Sequence, residues 1–212
     1  MTRVYAWMTA GLMTTGAIAG WTANTPALLN VIYGTPFVLF GLFIAQIALV
    51  VWLSARVHKM AVAQATGLFL AYSALNGLTL ASIFIVYTSA SIASTFFITA
   101  GMFAGISLYG YTTKQDLSKV GSIAIMALIG ILVASLVNWF LRSEALYWVI
   151  TYAGVLIFVA LTAWDTQKIK QIAAQAQTDE DIQRVAIIGA LTLYLDFINL
   201  FLFLLRIFGR RN

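Results

Sequence analysis

Residues Gly189–Gly209 read GALTLYLDFINLFLFLLRIFG. The stretch is apolar enough to cross a bilayer, yet it carries a carboxylate, Asp196, one residue past the midpoint between Arg184 and Arg206. A charge there is costly, so an acid at mid-span marks function by default. A second acid, Asp165, closes another apolar run, Leu146–Trp164. The midpoint between the two acids falls at Glu180–Asp181, inside the polar tract TDED. An antiparallel hairpin turning there brings both carboxylates to similar depth.

The rest of the chain is written for the same solvent. Hydrophobic residues make up 62% and charged residues 9%, against the roughly 25% charged residues of a soluble domain. Only two prolines occur in 212 residues, and no run of alternating apolar and polar positions suggests an outer-membrane barrel. The reading is an all-α integral membrane protein in contact with the lipid bilayer. The absence of cysteine removes disulfides, thiolate metal sites and cysteine nucleophiles. The net charge of +5 lies mainly in loops, where it reports topology rather than nucleic-acid binding.

A helix needs about 20 apolar residues to span roughly 30 Å of hydrocarbon. Seven stretches qualify: Val4–Ala23, Phe37–Ala55, Met60–Val86, Ile92–Tyr111, Val120–Leu141, Ala145–Trp164 and Val185–Leu205. The first follows Arg3, but its apolar run exceeds a signal peptide's and no small-residue cleavage pattern follows, so it reads as a membrane helix. All seven are expected to form one domain, residues 1–212. Seven crossings put the termini on opposite faces. The N-terminal side collects Arg3, Arg56, Lys59, Lys114, Lys119, Lys168, Lys170 and Arg184, against Arg142, Arg206, Arg210 and Arg211 on the other. That asymmetry predicts a cytoplasmic N-terminus. The charge-free connections NTPALLNVIYGTP and YTSASIAS are then external, and TTKQDLSK is a compact internal loop. Beyond the sixth segment, Ile169, Ile172, Ala173 and Ala176 continue a helical stripe, so that helix is expected to run on into the cytoplasm. Thr178 and Asp181 resemble a capping box that opens the seventh helix; this places the turn slightly before the midpoint and leaves Asp165 several Å shallower than Asp196.

Two carboxylates in a low-dielectric bundle have a narrow chemistry. Desolvation disfavours each charge and the neighbour disfavours the second, so the pair gains and loses protons as a unit. Fully ionised, it offers up to four oxygens to a hard cation such as Ca²⁺, which takes about 6–8. Thr162 at i−3 of Asp165 and Asn199 at i+3 of Asp196 can supplement them, a set thin enough for transient passage rather than storage. The bland alternative pairs each acid with a base: Lys168 at i+3 of Asp165, or Arg56 at the inner end of the second helix. Tyr72, Asn76 and Thr79 share one face of the third helix, where they line a polar path or simply hydrogen-bond between helices. Gly101 and Gly105 form GxxxG, read as close packing. His58, beside Lys59 with no second His or Cys nearby, reads as solvated. No nucleophile elbow, phosphate loop or HExxH motif is present, so neither enzymatic chemistry nor a bound cofactor is expected.

The run LTLYLDFINLFLFLLRIFG, with LTAWDTQKIK some thirty residues earlier and the seven-segment hydropathy profile, resembles the Bax inhibitor-1 (transmembrane BAX inhibitor motif) family, and its bacterial inner-membrane branch in particular. The resemblance implies six helices surrounding a central, C-terminal seventh. It also implies a pH-sensitive calcium leak governed by a di-aspartyl pair, which falls on Asp165 and Asp196, with an arginine latch that falls on Arg56. The other function class open to such a protein is a non-conducting regulator that binds another membrane protein, such as a quality-control protease, or modulates stress and cell-death responses. A proton-coupled transporter is a weaker third, since no Gly/Pro-broken helix pair marks a midplane substrate site.

Overall fold

The structure is a computed structural model that describes residues 1–212, except for the side chain of His58; the solvated reading of that histidine therefore lies outside the described residues. The chain is almost entirely helical: α1 (Thr2–Ala23), α2 (Pro26–Gly34), α3 (Pro36–Arg56), a 3₁₀ turn at Val57–Lys59, α4 (Val62–Leu80), α5 (Ser82–Val86), α6 (Ser89–Thr112), α7 (Ser118–Leu141), α8 (Glu144–Gln175) and α9 (Asp179–Phe208).

Six helical spans are long and apolar enough to cross a membrane: α3, α4 with α5, α6, α7, α8 and α9. The first expected segment is helical as well, over 22 residues. Its threonines, glycines and two tryptophans leave α1 less apolar than the other six. The connection expected as an external loop, NTPALLNVIYGTP, contains α2. Pro26 occupies the first turn, where its missing N–H costs nothing. The helix stops before Thr35-Pro36, because the residue preceding proline is driven out of the α region. The third segment is split at Ala81 for a local reason. The Tyr33 hydroxyl lies 3.0 Å from the carbonyl oxygens of Leu78 and Thr79 and accepts the Ser82 N–H at 2.9 Å, replacing the bond that Ser82 would make to Leu78 in a continuous helix.

The residues fall into two compact units. The first comprises Met1–Ser89, Ile172–Tyr194 and Arg211–Asn212, and the second Ala90–Gln171 and Leu195–Arg210. In the first, α1 buries Val4, Met8, Gly11, Thr15, Ala19 and Thr22, the i, i+3, i+4 spacing of one helix face. This face meets α4 closely: a Cβ on Gly77 would lie 2.7 Å from the Thr15 carbonyl oxygen, and one on Gly11 would lie 2.5 Å from the Phe69 ring. Small residues here let two backbones approach, as membrane helices commonly do. Arg3 pairs with Asp179 at 3.1 Å, while Asn212 donates its backbone N–H to Val86 at 3.0 Å. Arg184, largely covered, donates Nε to the Met60 carbonyl at 3.0 Å and pairs with Glu180 at 3.2 Å and Asp181 at 3.6 Å.

The second unit is built on a core of Ala124 from α7, Ile157, Phe158 and Leu161 from α8, and Leu200 and Leu204 from α9. Its closest helix approaches lie elsewhere than the sequence suggested. A Cβ on Gly101 or Gly105 would meet nothing within 4 Å, so the GxxxG pair faces outward and the close-packing expectation is corrected. The tight crossings are made by Gly110 against the Ala163 backbone, Gly121 against the Trp164 ring and Gly154 against the Phe203 ring. The capping expectation at α9 holds: Thr178 Oγ1 accepts the Asp181 N–H at 3.1 Å and donates to Asp181 Oδ2 at 2.6 Å.

Candidate functional site

The second unit brings together the two acids of the sequence. Asp165 lies on the face of α8 that also buries Leu161, Thr162, Thr166 and Ile169. Asp196 lies on α9 between the buried Tyr194 and Phe197. Asp165 keeps 8% of its surface and Asp196 5%, and the two carboxyl groups are near enough for each to act on the other's charge. They do so without the equal spacing that an in-register hairpin would give. Asp165 stands ten residues before the end of α8, and Asp196 seventeen after the start of α9. α8 and α9 each turn a mostly apolar face inward, and the two acids are the carboxylates on those faces.

Neighbouring contacts hold α8 in place around Asp165. Gly110 seats α6 against the backbone of Ala163, and the Thr166 hydroxyl donates to Ser107 Oγ at 3.3 Å. One residue on, Gln167 accepts the Leu117 N–H at 2.9 Å through Oε1 and donates Nε2 to the Gln115 carbonyl at 2.8 Å. The α6–α7 loop is therefore pinned to α8 two residues from the acid. In that loop Asp116 accepts hydrogen bonds from Ser118, which, ahead of the charge of Lys119, hold its carboxyl below the usual range.

Neither carboxylate has an ion pair among the described residues. Lys168, the candidate partner of Asp165, instead places its ammonium 4.7 Å from the centre of the Trp164 ring, in cation–π range. Asp196 Oδ2 is fully buried and meets no N–H or O–H donor. Two ionised carboxylates cannot hydrogen-bond to each other; a bond between them requires that one carry a proton. Thr162 and Asn199 lie near by sequence spacing, yet each is partly committed: Thr162 Oγ1 donates to the Phe158 carbonyl at 2.7 Å and Asn199 Nδ2 to the Leu195 carbonyl at 2.8 Å. No group of three or more His, Cys, Asp or Glu side chains that could hold a metal exists among the described residues, so the acid pair is the whole of the anionic set.

The remaining candidates belong to the first unit and form a different structure. Tyr72, Asn76 and Thr79 share a buried face of α4, where Asn76 and Thr79 make hydrogen bonds to other helices and Tyr72 a ring contact. Asn76 Nδ2 donates to the Tyr194 hydroxyl at 2.9 Å, Thr79 Oγ1 accepts from Gln46 at 3.0 Å, and the Tyr72 ring packs edge-on against Tyr194 at 5.9 Å between centroids. Thr15 completes the network. Sequence reasoning passed over Tyr194, Thr15 and Gln46, although a tyrosine and a glutamine inside apolar helices are signals of the same kind as an acid. Arg56 is the exposed last residue of α3.

Likeness to known proteins adds a decisive observation. The family model described as "Inhibitor of apoptosis-promoting Bax1" matches residues 1–212. The chain belongs to the Bax inhibitor family. It is 58% identical to the inner membrane protein YbhL of Escherichia coli (strain K12), over 100% of this chain and 92% of that one. It is also 45% identical to an uncharacterized protein of Borreliella burgdorferi over 100% and 92% of the two chains. An uncharacterized membrane protein of Streptococcus pyogenes serotype M1 is 40% identical, over 87% of this chain and 80% of its own. Family membership and the six apolar spans together make this a multi-pass membrane protein.

Proposed function

We propose that this family member is a passive, pH-sensitive leak for cations, Ca²⁺ foremost, in which Asp165 and Asp196 act as one titrating gate. The observation that supports it is the pairing itself: two buried carboxyls from α8 and α9, one with an oxygen lacking any donor. A proton shared between them joins the two helices. Its loss leaves two adjacent like charges that repel each other and attract a hard cation. Each pKa unit of difference between two states is worth about 1.4 kcal/mol, enough to move a balanced equilibrium tenfold.

The architecture that goes with this reading has seven crossings, with α1 as the first and α9 central, in a bacterial inner membrane. The N-terminus is cytoplasmic and the C-terminus periplasmic. Arg3 is tied to the first residue of α9, whereas Asn212 follows its last. A 30-residue helix is about 45 Å long, more than a bilayer core is thick. Arg56 serves as a latch that competes for a freed carboxylate. The test is Ca²⁺ flux across reconstituted vesicles between about pH 6 and 8, comparing wild type with Asp165→Asn and Asp196→Asn. Asn keeps the shape but cannot titrate, so each variant should flatten the pH profile. Unchanged profiles in both would remove the gate and favour a regulator of another membrane protein.

A further inference from the structure

The buried face of α6 carries a row of hydroxyls at four-residue intervals: Ser91, Thr95, Thr99 and, after Phe103, Ser107. Such a row follows one ridge of the helix, the geometry used for packing against a neighbour. Within a helix such hydroxyls can bond the carbonyl one turn back. Thr99 does so, donating to the Thr95 carbonyl at 2.8 Å. Thr95 does not. Its Oγ1 is completely buried and without a partner, and the carbonyl it would use, that of Ser91, accepts from Ser94 at 3.1 Å.

The row has a direction. At one end Ser91 Oγ donates to the Arg210 carbonyl at 3.3 Å, just past the end of α9. At the other, Ser107 accepts from Thr166, the neighbour of Asp165 in sequence. Ring contacts from Phe96 to Phe201 at 6.3 Å and from Phe103 to Phe197 at 5.5 Å run α6 antiparallel along α9. Sixteen residues from Ser91 to Ser107 and fourteen from Asp196 to Arg210 are both a little over 20 Å of helix. The hydroxyls therefore cover the distance from the end of α9 to the acids. Phe103 against Phe197, beside Asp196, interrupts them at the last step, an apolar constriction of the kind that gates by excluding water.

We propose that Ser91, Thr95 and Thr99 line the route by which water and a hydrated divalent cation reach Asp165 and Asp196 from the C-terminal end of α9, with Phe103 and Phe197 closing its inner end. This rests on the leak reading for the cation, but water access along the row is measured without any flux. The chain has no cysteine, so single cysteines report cleanly. Thr95→Cys and Thr99→Cys would be treated in vesicles with a charged, membrane-impermeant methanethiosulfonate at about pH 6 and pH 8. Phe97→Cys, on the exposed face of α6 at 73%, is the lipid-facing control. In the faster condition, at least one row cysteine should react about tenfold faster than the control, because only a hydrated thiol ionises readily. If both react no faster than Phe97→Cys, the row is packing and the proposal is overturned, even if the protein leaks Ca²⁺. If they react while wild-type vesicles show no Ca²⁺ flux at any pH, the hydrated row stands and the leak reading falls. Thr95→Val, which keeps shape and removes the hydroxyl, should slow Ca²⁺ flux several-fold with its thermal stability retained.

Discussion

The hydroxyl of Tyr194 lies 2.6 Å from Oγ1 of Thr15, and the direction of that hydrogen bond is settled by the rest of the network. Thr15 gives its only hydroxyl proton to the Ser73 carbonyl at 2.8 Å. Tyr194 must therefore donate to Thr15 and accept from Asn76 Nδ2. The hydroxyls of Thr15 and Tyr194 thus each donate once and accept once, which ties the first half of α9 to α1 and α4.

Tyr194→Phe should consequently leave Asn76 Nδ2 and Thr15 Oγ1 each short of a partner. The expected cost is about 1–3 kcal/mol of stability, read as a lower melting temperature of the purified protein in detergent. Adding Thr15→Val to Tyr194→Phe should cost less than the sum of the two single changes, since the second removes an atom the first has orphaned. Additive losses would show that the two hydroxyls do not depend on each other.

Glycine positions supply a second test. Gly110→Ala drives a methyl into the Ala163 backbone, which cannot rotate away, and overpacking of this kind costs about 1–3 kcal/mol. Gly101→Ala and Gly105→Ala place the same methyl in open space and should be neutral or slightly stabilising. Equal melting temperatures for all three would contradict the close α6–α8 crossing that seats Asp165.

For the acids, the expectation is a loss of pH response rather than a loss of fold. Asp165→Asn and Asp196→Asn remove the buried pair's ability to share and release a proton, so Ca²⁺ flux in both variants should vary little from about pH 6 to 8. Melting temperatures measured over the same range should lose their pH dependence together with the flux. Arg56→Ala, at an exposed helix end, should alter flux amplitude while leaving stability nearly unchanged.

Topology is checked separately. Reporter fusions at the N- and C-termini should give opposite signals, cytoplasmic and periplasmic. Matching signals would mean that α1 or another of the helices does not cross, and the basic residues Arg210 and Arg211 would then count with the inner side.

Helical architecture, the membrane as solvent, the positions of the long spans, the Thr178 cap and the two acids were all legible from residue order alone. Each depends on local properties: apolar run length, a capping pair, or the cost of one carboxylate in hydrocarbon. What tertiary structure alone decided is which polar group meets which. Tyr72, Asn76 and Thr79 share a face in any helix, but only the packing of α3 and the first part of α9 on α4 joins Asn76 to Tyr194 and Thr79 to Gln46. GxxxG at Gly101 and Gly105 looks like a crossing by spacing, yet the crossings fall at Gly110, Gly121 and Gly154, because a glycine's use depends on the surface opposite it. The split at Ala81 needed Tyr33, more than forty residues away, to take over the Ser82 amide. Asp165 and Asp196 likewise meet across unequal distances from their turn: spacing along a helix gives depth and face, whereas contact depends on how two faces pack.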